Sequence, residues 1–443
     1  MPRGTSTRRQ MVAGVSAGSG AVALALVGCG TPAPPAATRE GLAGTFEMVG
    51  TDASVQLLTM EKAMAAFMEQ HPQSKVTYVP TPANEVAPKI RTTIAAGSGP
   101  EGFYHQSVWW RGVDAATVTL PLTPNVFKRA ELEQMTYGNL LNSLWSKSGE
   151  VHAVPWGFGI DGAMLMYNVP HLANANVDVR TLTSMDAILA AAARLVLRDG
   201  GEMKRAGMLL GQPAIAIPNW IMDQGETFYD EKNKKWTWQT AAAEKAFQWV
   251  LDVYDKHGVA WRQNPAGVTN AMGEGHAALT AAQGAYAIST YANSHPNTGL
   301  ADVPMPAFVA GKQPKYYVAS VPGYSLSALL KPDDVKAKIG AALFRHLYTP
   351  ASAITFANEY SGAIAIKGLY GDQKFRETRY GAVRATLDRD VIARTVMLSP
   401  AADPGLGADL NKVIAGQLSV KAALSEMQQK YNTAEEEAQR NRR

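Results

Sequence analysis

The chain has 443 residues, with 42 Lys plus Arg, 38 Asp plus Glu and a formal charge of +4. Arg3, Arg8 and Arg9 precede Cys29 and no acid does, so the 42 basic residues fall to 39 beyond it, against 38 acidic ones, a balance of +1. That near-neutrality shows no basic stripe of the kind a nucleic-acid binder needs, and one cysteine excludes both a disulfide framework and a thiolate metal site.

The chain opens on TRRQMVAGVSAGSGAVALALVGCG, residues 7–30. Arg8 and Arg9 form a charged start, and Met11–Gly28 is an apolar run diluted by Gly and Ser, the pattern of an export signal. A spanning helix would need about 20 predominantly apolar residues. Leu26-Val27-Gly28-Cys29 matches a lipoprotein processing box, which makes Cys29 the expected lipid attachment site. The alternative is an ordinary secretion signal that ends in Cys. Thr7–Val12 resembles a twin-arginine export signal, with Met11 where phenylalanine is frequent. The expected location is extracytoplasmic, lipid-anchored to a bacterial cell membrane. Residues 1–29 are thus a signal, and residues 30–43, rich in Pro, Ala and Thr, a flexible tether.

After the tether, Thr45–Val49 reads as a strand and Gly50–Ser54 as a turn. Leu57, Met60, Met64, Phe67 and Met68 then recur at helical spacing until His71-Pro72. Lys75–Val79 is a second strand. Val86, Ile90, Thr93 and Ile94 mark a second helix, closed by Gly97–Pro100, and Gly102–His105 is a third strand. Alternating strands and helices predict a parallel α/β sheet. Ligands in such sheets bind beyond the carboxyl ends of the strands, so the turns Gly50–Ser54, Thr81–Glu85 and His105–Arg111 are the informative positions. Further on, Phe247, Val250, Leu251 and Tyr254 define a helix ending near Gly258. Val335, Ile339, Leu343 and Leu347 define another, capped by Asp333 or Asp334.

Catalytic motifs fail on context. Gly97–Gly102 fits G-x-G-x-x-G but leaves a helix and enters a strand, the reverse of a dinucleotide loop. Gly14–Gly18 fits G-x-S-x-G but lies within the signal. There is no phosphate-binding G-x-x-x-x-G-K-[ST] loop and no H-E-x-x-H, so the chain predicts neither ATP hydrolysis, a metal nor a cofactor. A glycosidase's two carboxylates would meet only in the fold and leave no linear signature. No positive sign of an enzyme emerges.

Several longer passages are familiar in order and spacing. FMEQHPQSKVTYV (67–79) and IRTTIAAGSGPEGFYH (90–105) resemble the family 1 extracellular solute-binding proteins, the maltose-binding-like subunits of ABC importers. SKSGEVHAVPWGFGIDGAMLMYN (146–168), TLTSMDAILAAAARL (181–195), GEGHAALTAAQGAY (273–286), VPGYSLSAL (321–329), the 341–366 segment and IAGQLSVKAALSEMQQKYN (414–432) continue the likeness. The resemblance implies a two-lobed α/β fold of the periplasmic-binding-protein type, with hinge crossovers and a ligand cleft between the lobes. Its implied boundaries are 44–153 plus 300–350 for lobe one, 154–299 plus 351–430 for lobe two, and 431–443 as a polar tail. It implies a receptor that captures a mono- or oligosaccharide by hinge closure and hands it to permease subunits driven by a separate ATPase, with its lipid anchor in the membrane. A polyol phosphate or polyamine ligand, or a surface glycosidase, are the alternatives.

A sugar ring presents C–H faces and paired hydroxyls, so its site wants flat aromatic rings and hydrogen-bonding side chains. On that chemistry and the resemblance, the expected ligand-binding residues are Asp52, Trp109, Trp110, Trp156, Phe158, Asp161, Trp220, Gln224 and Tyr324. Asp52 could instead cap the helix that follows, and Asp161 could serve a turn. Trp236, Trp238 and Trp249 are expected in packing, and Tyr286 and Tyr291 are weaker ligand candidates.

Overall fold

The structure is a computed structural model, and it describes residues 42–52, 54–106, 117–137, 140–141, 150–158, 162–230, 232–316, 321–359, 361–384 and 406–440. The first lobe starts as its apolar spacing predicts. β1 (Gly44–Thr51), α1 (Ser54–Gln70), β2 (Ser74–Thr81), α2 (Ala83–Ala95) and β3 (Gly102–Gln106) follow in order. β1 is parallel to β2 in an unbroken register from Gly44↔Ser74 to Thr51↔Thr81, and parallel to β3 on its other side. Phe46 and Met48 on one face of β1 meet Met60, Met64 and Phe67 of α1 in the lobe's main core, which is why the helical stripe and the alternation both read correctly.

The chain then leaves for a second sheet. β4 (Val154–Pro155) is the last strand of sheet one, and β5 (Gly157–Phe158) and β6 (Met164–Asn168) follow it. The second lobe continues through α3 (Val169–Asn174), α4 (Met185–Leu195), β7 (Leu197–Asp199), β8 (Glu202–Leu210) and α5 (Pro213–Asp223). Next come the short hairpin β9 (Tyr229–Asp230) and β10 (Lys235–Trp236), α6 (Ala241–Asp255), β11 (Ala277–Gln283), α7 (Ala287–Ser294) and β12 (Leu300–Pro304). The chain returns as β13 (Pro322–Leu326), α8 (Val335–Leu347) and α9 (Pro350–Glu359). β14 (Ala363–Ile364), α10 (Gly381–Arg384), α11 (Leu406–Ile414) and α12 (Val420–Arg440) follow, and shorter helices include Arg129–Met135 and Gln373–Arg376. The sheet orders are β2-β1-β3-β13-β4 and β12-β6-β11-β8-β7. Each sheet buries its own apolar cluster, so the expected two-lobed α/β architecture is what the chain forms.

Several expected boundaries differ. Val154–Pro155, where lobe two was expected to begin, pair with β13 in sheet one. Residues 300–304, assigned by resemblance to lobe one, pair antiparallel with β6 and form the edge of sheet two. Residues 351–376, assigned to lobe two, contribute Ala353, Phe356, Ile364, Tyr370 and Phe375 to the first lobe's core. Residues 431–440 are no polar tail but the last turns of α12, where Tyr431 is 1 % exposed. Its hydroxyl donates to Asp409 at 3.1 Å, and its ring stands edge-on to Trp236 and Trp238. Within the expected tether, Leu42 already packs on the first core and its carbonyl accepts from Ser74. Asp334 precedes α8 as expected, yet its carboxylate accepts the Lys331 N–H rather than a helix amide. Trp236 and Trp238 stack at 5.9 Å in the second lobe, as packing residues should.

Candidate ligand-binding site

At the carboxyl end of sheet one, the matched register of β1 and β2 brings Thr51 and Thr81 side by side, and the Asp52 N–H donates to the Thr81 carbonyl at 3.0 Å. The Asp52 side chain is exposed at this lip. Tyr78 lies across Gly50, where a Cβ would overlap its ring, and its hydroxyl donates to the Thr51 carbonyl at 3.0 Å. Only glycine lets the ring approach the strand this closely. Burial holds the Tyr78 phenol well above its ordinary range, and the nearby Tyr104 and Asp52 reinforce the shift. Tyr78 is therefore a neutral hydroxyl.

Beneath this lip is a cavity of about 10 Å³ lined by Thr51, Met60, Tyr78, Tyr104, Trp156, Tyr324 and Phe356. Its volume is about that of one water-sized probe. Tyr324 lies 5.8 Å from Trp156 and 5.9 Å from Tyr104, and Trp156 is 4.3 Å from Phe356, all measured between ring centroids. Trp156 and Tyr324 are buried. They form the floor of the aromatic cluster, while Asp52 and Tyr78 form its rim.

The second lobe offers a comparable place. β8 and β11 are parallel, and their carboxyl ends lie together. Gln212, two residues past β8, donates its backbone N–H to Ala282 at 2.7 Å and its side-chain Nε2 to the Tyr286 hydroxyl at 2.8 Å. The Gln212 Oε1 is buried with no hydrogen-bond partner. Tyr286 is 40 % exposed, a large ring presented to solvent at the strand exit. Gly162, in the left-handed region at φ +74°, abuts Ala216 so closely that a Cβ would come within 2.7 Å of the Ala216 Cα. The segment entering β6 therefore touches the start of α5. Gln212 escaped the sequence reading because an amide in a Gly-Gln-Pro turn looks like any surface polar residue. The strand-exit rule applied to β8 would have found it.

Two expected site residues fall elsewhere. Trp220 is buried in the second lobe's core, stacked on Phe308 at 5.4 Å and edge-on to Trp249 at 5.0 Å. Gln224 donates Nε2 to the carbonyls of Trp220 and Ala242, closing the end of α5. Trp220 packs in the core, where residues 216–223 of α5 are buried without interruption, and Gln224 caps the end of that helix. Trp109, Trp110, Asp161 and Cys29, and the Phe158 side chain, lie outside the described residues; the Phe158 backbone pairs with Ala363.

No described carboxylate lines the aromatic cavity. Three buried acids are engaged elsewhere: Asp302 with Arg384 at 2.8 Å, Asp223 with the backbone amides of Phe308 and Lys315, and Asp409 with the Tyr431 hydroxyl. His171 is similarly occupied, Nε2 donating to Gly275 and Nδ1 accepting from Arg205, so burial and that cation keep it neutral. Among the described residues no group of three or more His, Cys, Asp and Glu could hold a metal ion. No described helix is long and apolar enough to cross a membrane. Rings, hydroxyls and an amide make a surface for non-covalent capture.

Comparison with known proteins agrees with this architecture. Residues 53–353 match the family model described as bacterial extracellular solute-binding protein. The chain belongs to that family, whose members bind solutes. No curated protein sequence matches it. Among solved structures, the maltose/maltodextrin-binding domain of MalE from Bdellovibrio bacteriovorus, bound to maltotriose, superposes with a TM-score of 0.70 at 17% identity, over 89% of this chain and 100% of that one. The GacH receptor of Streptomyces glaucescens, solved unliganded and with acarbose, gives 0.71 at 19% identity, over 89% and 99%. UgpB from Mycobacterium tuberculosis, in complex with glycerophosphocholine, gives 0.70 at 14% identity, over 89% and 99%. These likenesses establish the two-lobed fold.

Proposed function

We propose that this protein is the receptor subunit of an ABC importer, that it captures a mono- or oligosaccharide between its lobes and releases it unchanged to a permease, and that an acylated Cys29 keeps it at the membrane. The observation that carries the reading is the gathering of Tyr78, Tyr104, Trp156 and Tyr324 at the carboxyl end of sheet one, with Asp52 at the rim. Gln212 and Tyr286 at the carboxyl ends of β8 and β11 supply the matching chemistry on lobe two. The exposed Tyr286 ring and the rim ring of Tyr78 cover the C–H patches of a pyranose above the floor of Tyr104, Trp156 and Tyr324, and the carboxylate and amide pair with its hydroxyls. Sugar-bound relatives of the same fold support this class of ligand. A phosphate-bearing ligand is the alternative, favoured by the glycerophosphocholine complex; it is disfavoured because none of the described cavity-lining residues is Lys or Arg.

The test is isothermal titration of maltotriose, acarbose, mannobiose and glycerophosphocholine into wild type and Tyr286→Ala. A sugar should bind, and loss of the exposed ring should weaken it by about 1.5–3 kcal/mol, tenfold or more, with an unchanged melting temperature for the free protein. Binding of glycerophosphocholine alone, or a Tyr286→Ala variant that binds a sugar as wild type does, would reject the assignment.

A further inference from the structure

The chain between β12 and β13 carries the polypeptide from sheet two to sheet one. Its first part does not travel freely between the lobes. Met305 is buried in the second core and its N–H donates to Ala163. Phe308 stacks on Trp220, with the Lys245 ammonium from α6 over its outer face. The Phe308 and Lys315 backbone amides then converge on one carboxylate, Asp223, at 2.8 and 2.7 Å, one to each oxygen. The next residue, Tyr316, is buried in the apolar cluster that joins Trp156 and Tyr324 to Met164 of β6, with its phenol facing Asp223. Residues 305–315 are therefore held on the second lobe before the chain reaches β13.

Asp223 is an unexpected residue for its position. It ends α5, where the helix dipole disfavours an anion, and it is 7 % exposed. Helix packing alone would favour an apolar side chain there. Two orphan amides from a crossing strap explain a carboxylate, because each buried N–H needs an acceptor.

We propose that Asp223 is the fastener of this crossover, a positioning residue that binds the strap 305–315 to the second lobe so that the strap moves with that lobe. That the strap travels with the lobe on closure rests on the hinge-closure reading above; the fastening does not. The fastening is also sensitive to protons. Burial pushes the Asp223 carboxyl from 3.8 to about 6, against the pull of the two amides and of Lys315, while the Tyr316 phenol across from it stays neutral. An unfastened, solvated Asp223 would return to its ordinary value. The fastened state thus holds its proton more tightly, and unfastening becomes easier as pH rises from about 4 through 6, levelling off above.

Amide hydrogen exchange on the ligand-free, full-length protein tests this, with each peptide corrected for intrinsic exchange and β11 as internal reference. In wild type the opening of peptides spanning 305–316 should rise about tenfold from pH 5 to pH 7 relative to β11. Asp223→Ala should expose the strap tenfold or more at both pH values, and Asp223→Asn, which keeps one acceptor but no charge, should abolish the pH response. Strap protection within twofold of wild type in Asp223→Ala, no pH response in wild type, or an undiminished response in Asp223→Asn would each overturn the proposal. No ligand enters the measurement, so its failure leaves the sugar-binding assignment standing, and the reverse holds equally.

Discussion

Replacing Arg384 with methionine is expected to cost about 3–5 kcal/mol of folding stability at neutral pH, the range for removing one partner of a buried ion pair. The guanidinium is 1 % exposed and joins three separate parts of the chain. Nε donates to the Ser361 carbonyl, and Nη2 donates to the Ala285 carbonyl at 2.6 Å and to Asp302 of β12 at 2.8 Å. Methionine would fill much of the space but remove the Arg384 bond to the Ser361 carbonyl, leave the Ala285 carbonyl only the Ser361 hydroxyl as donor, and leave a carboxylate buried alone. Burial already holds Asp302 above its ordinary range, with Arg384 opposing the rise. Without Arg384 the rise grows, so the variant's deficit should shrink at acid pH, where Asp302 takes a proton and the buried charge disappears. The double variant Arg384→Met/Asp302→Leu should recover part of the loss, because two apolar partners leave no unpaired charge. Urea unfolding at pH 7 and pH 5 checks all three statements. A single-variant loss below about 1 kcal/mol at pH 7 would mean the pair does not anchor this junction.

Tyr324→Ala is the second large effect. The ring is fully enclosed by Tyr104, Trp156 and Phe344, and truncating a buried aromatic costs about 3–5 kcal/mol as transfer energy plus cavity. The new space would merge with the existing cavity of about 10 Å³ that the same ring already lines. Stability and ligand affinity should therefore fall together, because the floor supports the rim residues Tyr78 and Asp52. Tyr286→Ala, at an exposed ring, should separate them. If Tyr324→Ala abolishes binding while its melting temperature matches wild type, Tyr324 faces the ligand directly and its place as a floor residue is wrong.

The opening of the fold was legible because β1, α1, β2, α2 and β3 form a run of sequence neighbours in which β1 pairs with both β2 and β3, although β3 also pairs with the distant β13. Alternation and helical spacing are then enough, and the strands were placed to within two residues at either end. The same local logic identified Trp236 and Trp238 as packing residues and rejected the Gly97–Gly102 motif, which does run from α2 into β3. Long-range pairing was less accessible. Whether Leu300–Pro304 joins sheet one or sheet two depends on its register with β6, more than 130 residues earlier in the chain, and no local pattern encodes that choice. Trp220 looked like a cleft residue because a tryptophan beside Asp and Gln suggests a polar setting. Its partner Phe308 lies 88 positions on, and that distant ring makes it core. The Arg384–Asp302 pair, 82 positions apart, was invisible for the same reason. Trp156 was expected on lobe two, from residue 154 on, but it packs beside Tyr324 at sheet one, and the depth of both rings below the rim needed the structure.

The central claim is that the two lobes close around an intact carbohydrate. Small-angle X-ray scattering of the full-length protein, before and after saturating maltotriose or whichever sugar binds in the titrations, tests it most directly. Closure predicts a smaller radius of gyration in the bound sample, with the sugar recovered unchanged from the same solution. An identical scattering profile with a sugar demonstrably bound, or a sugar returned in fragments, would contradict it.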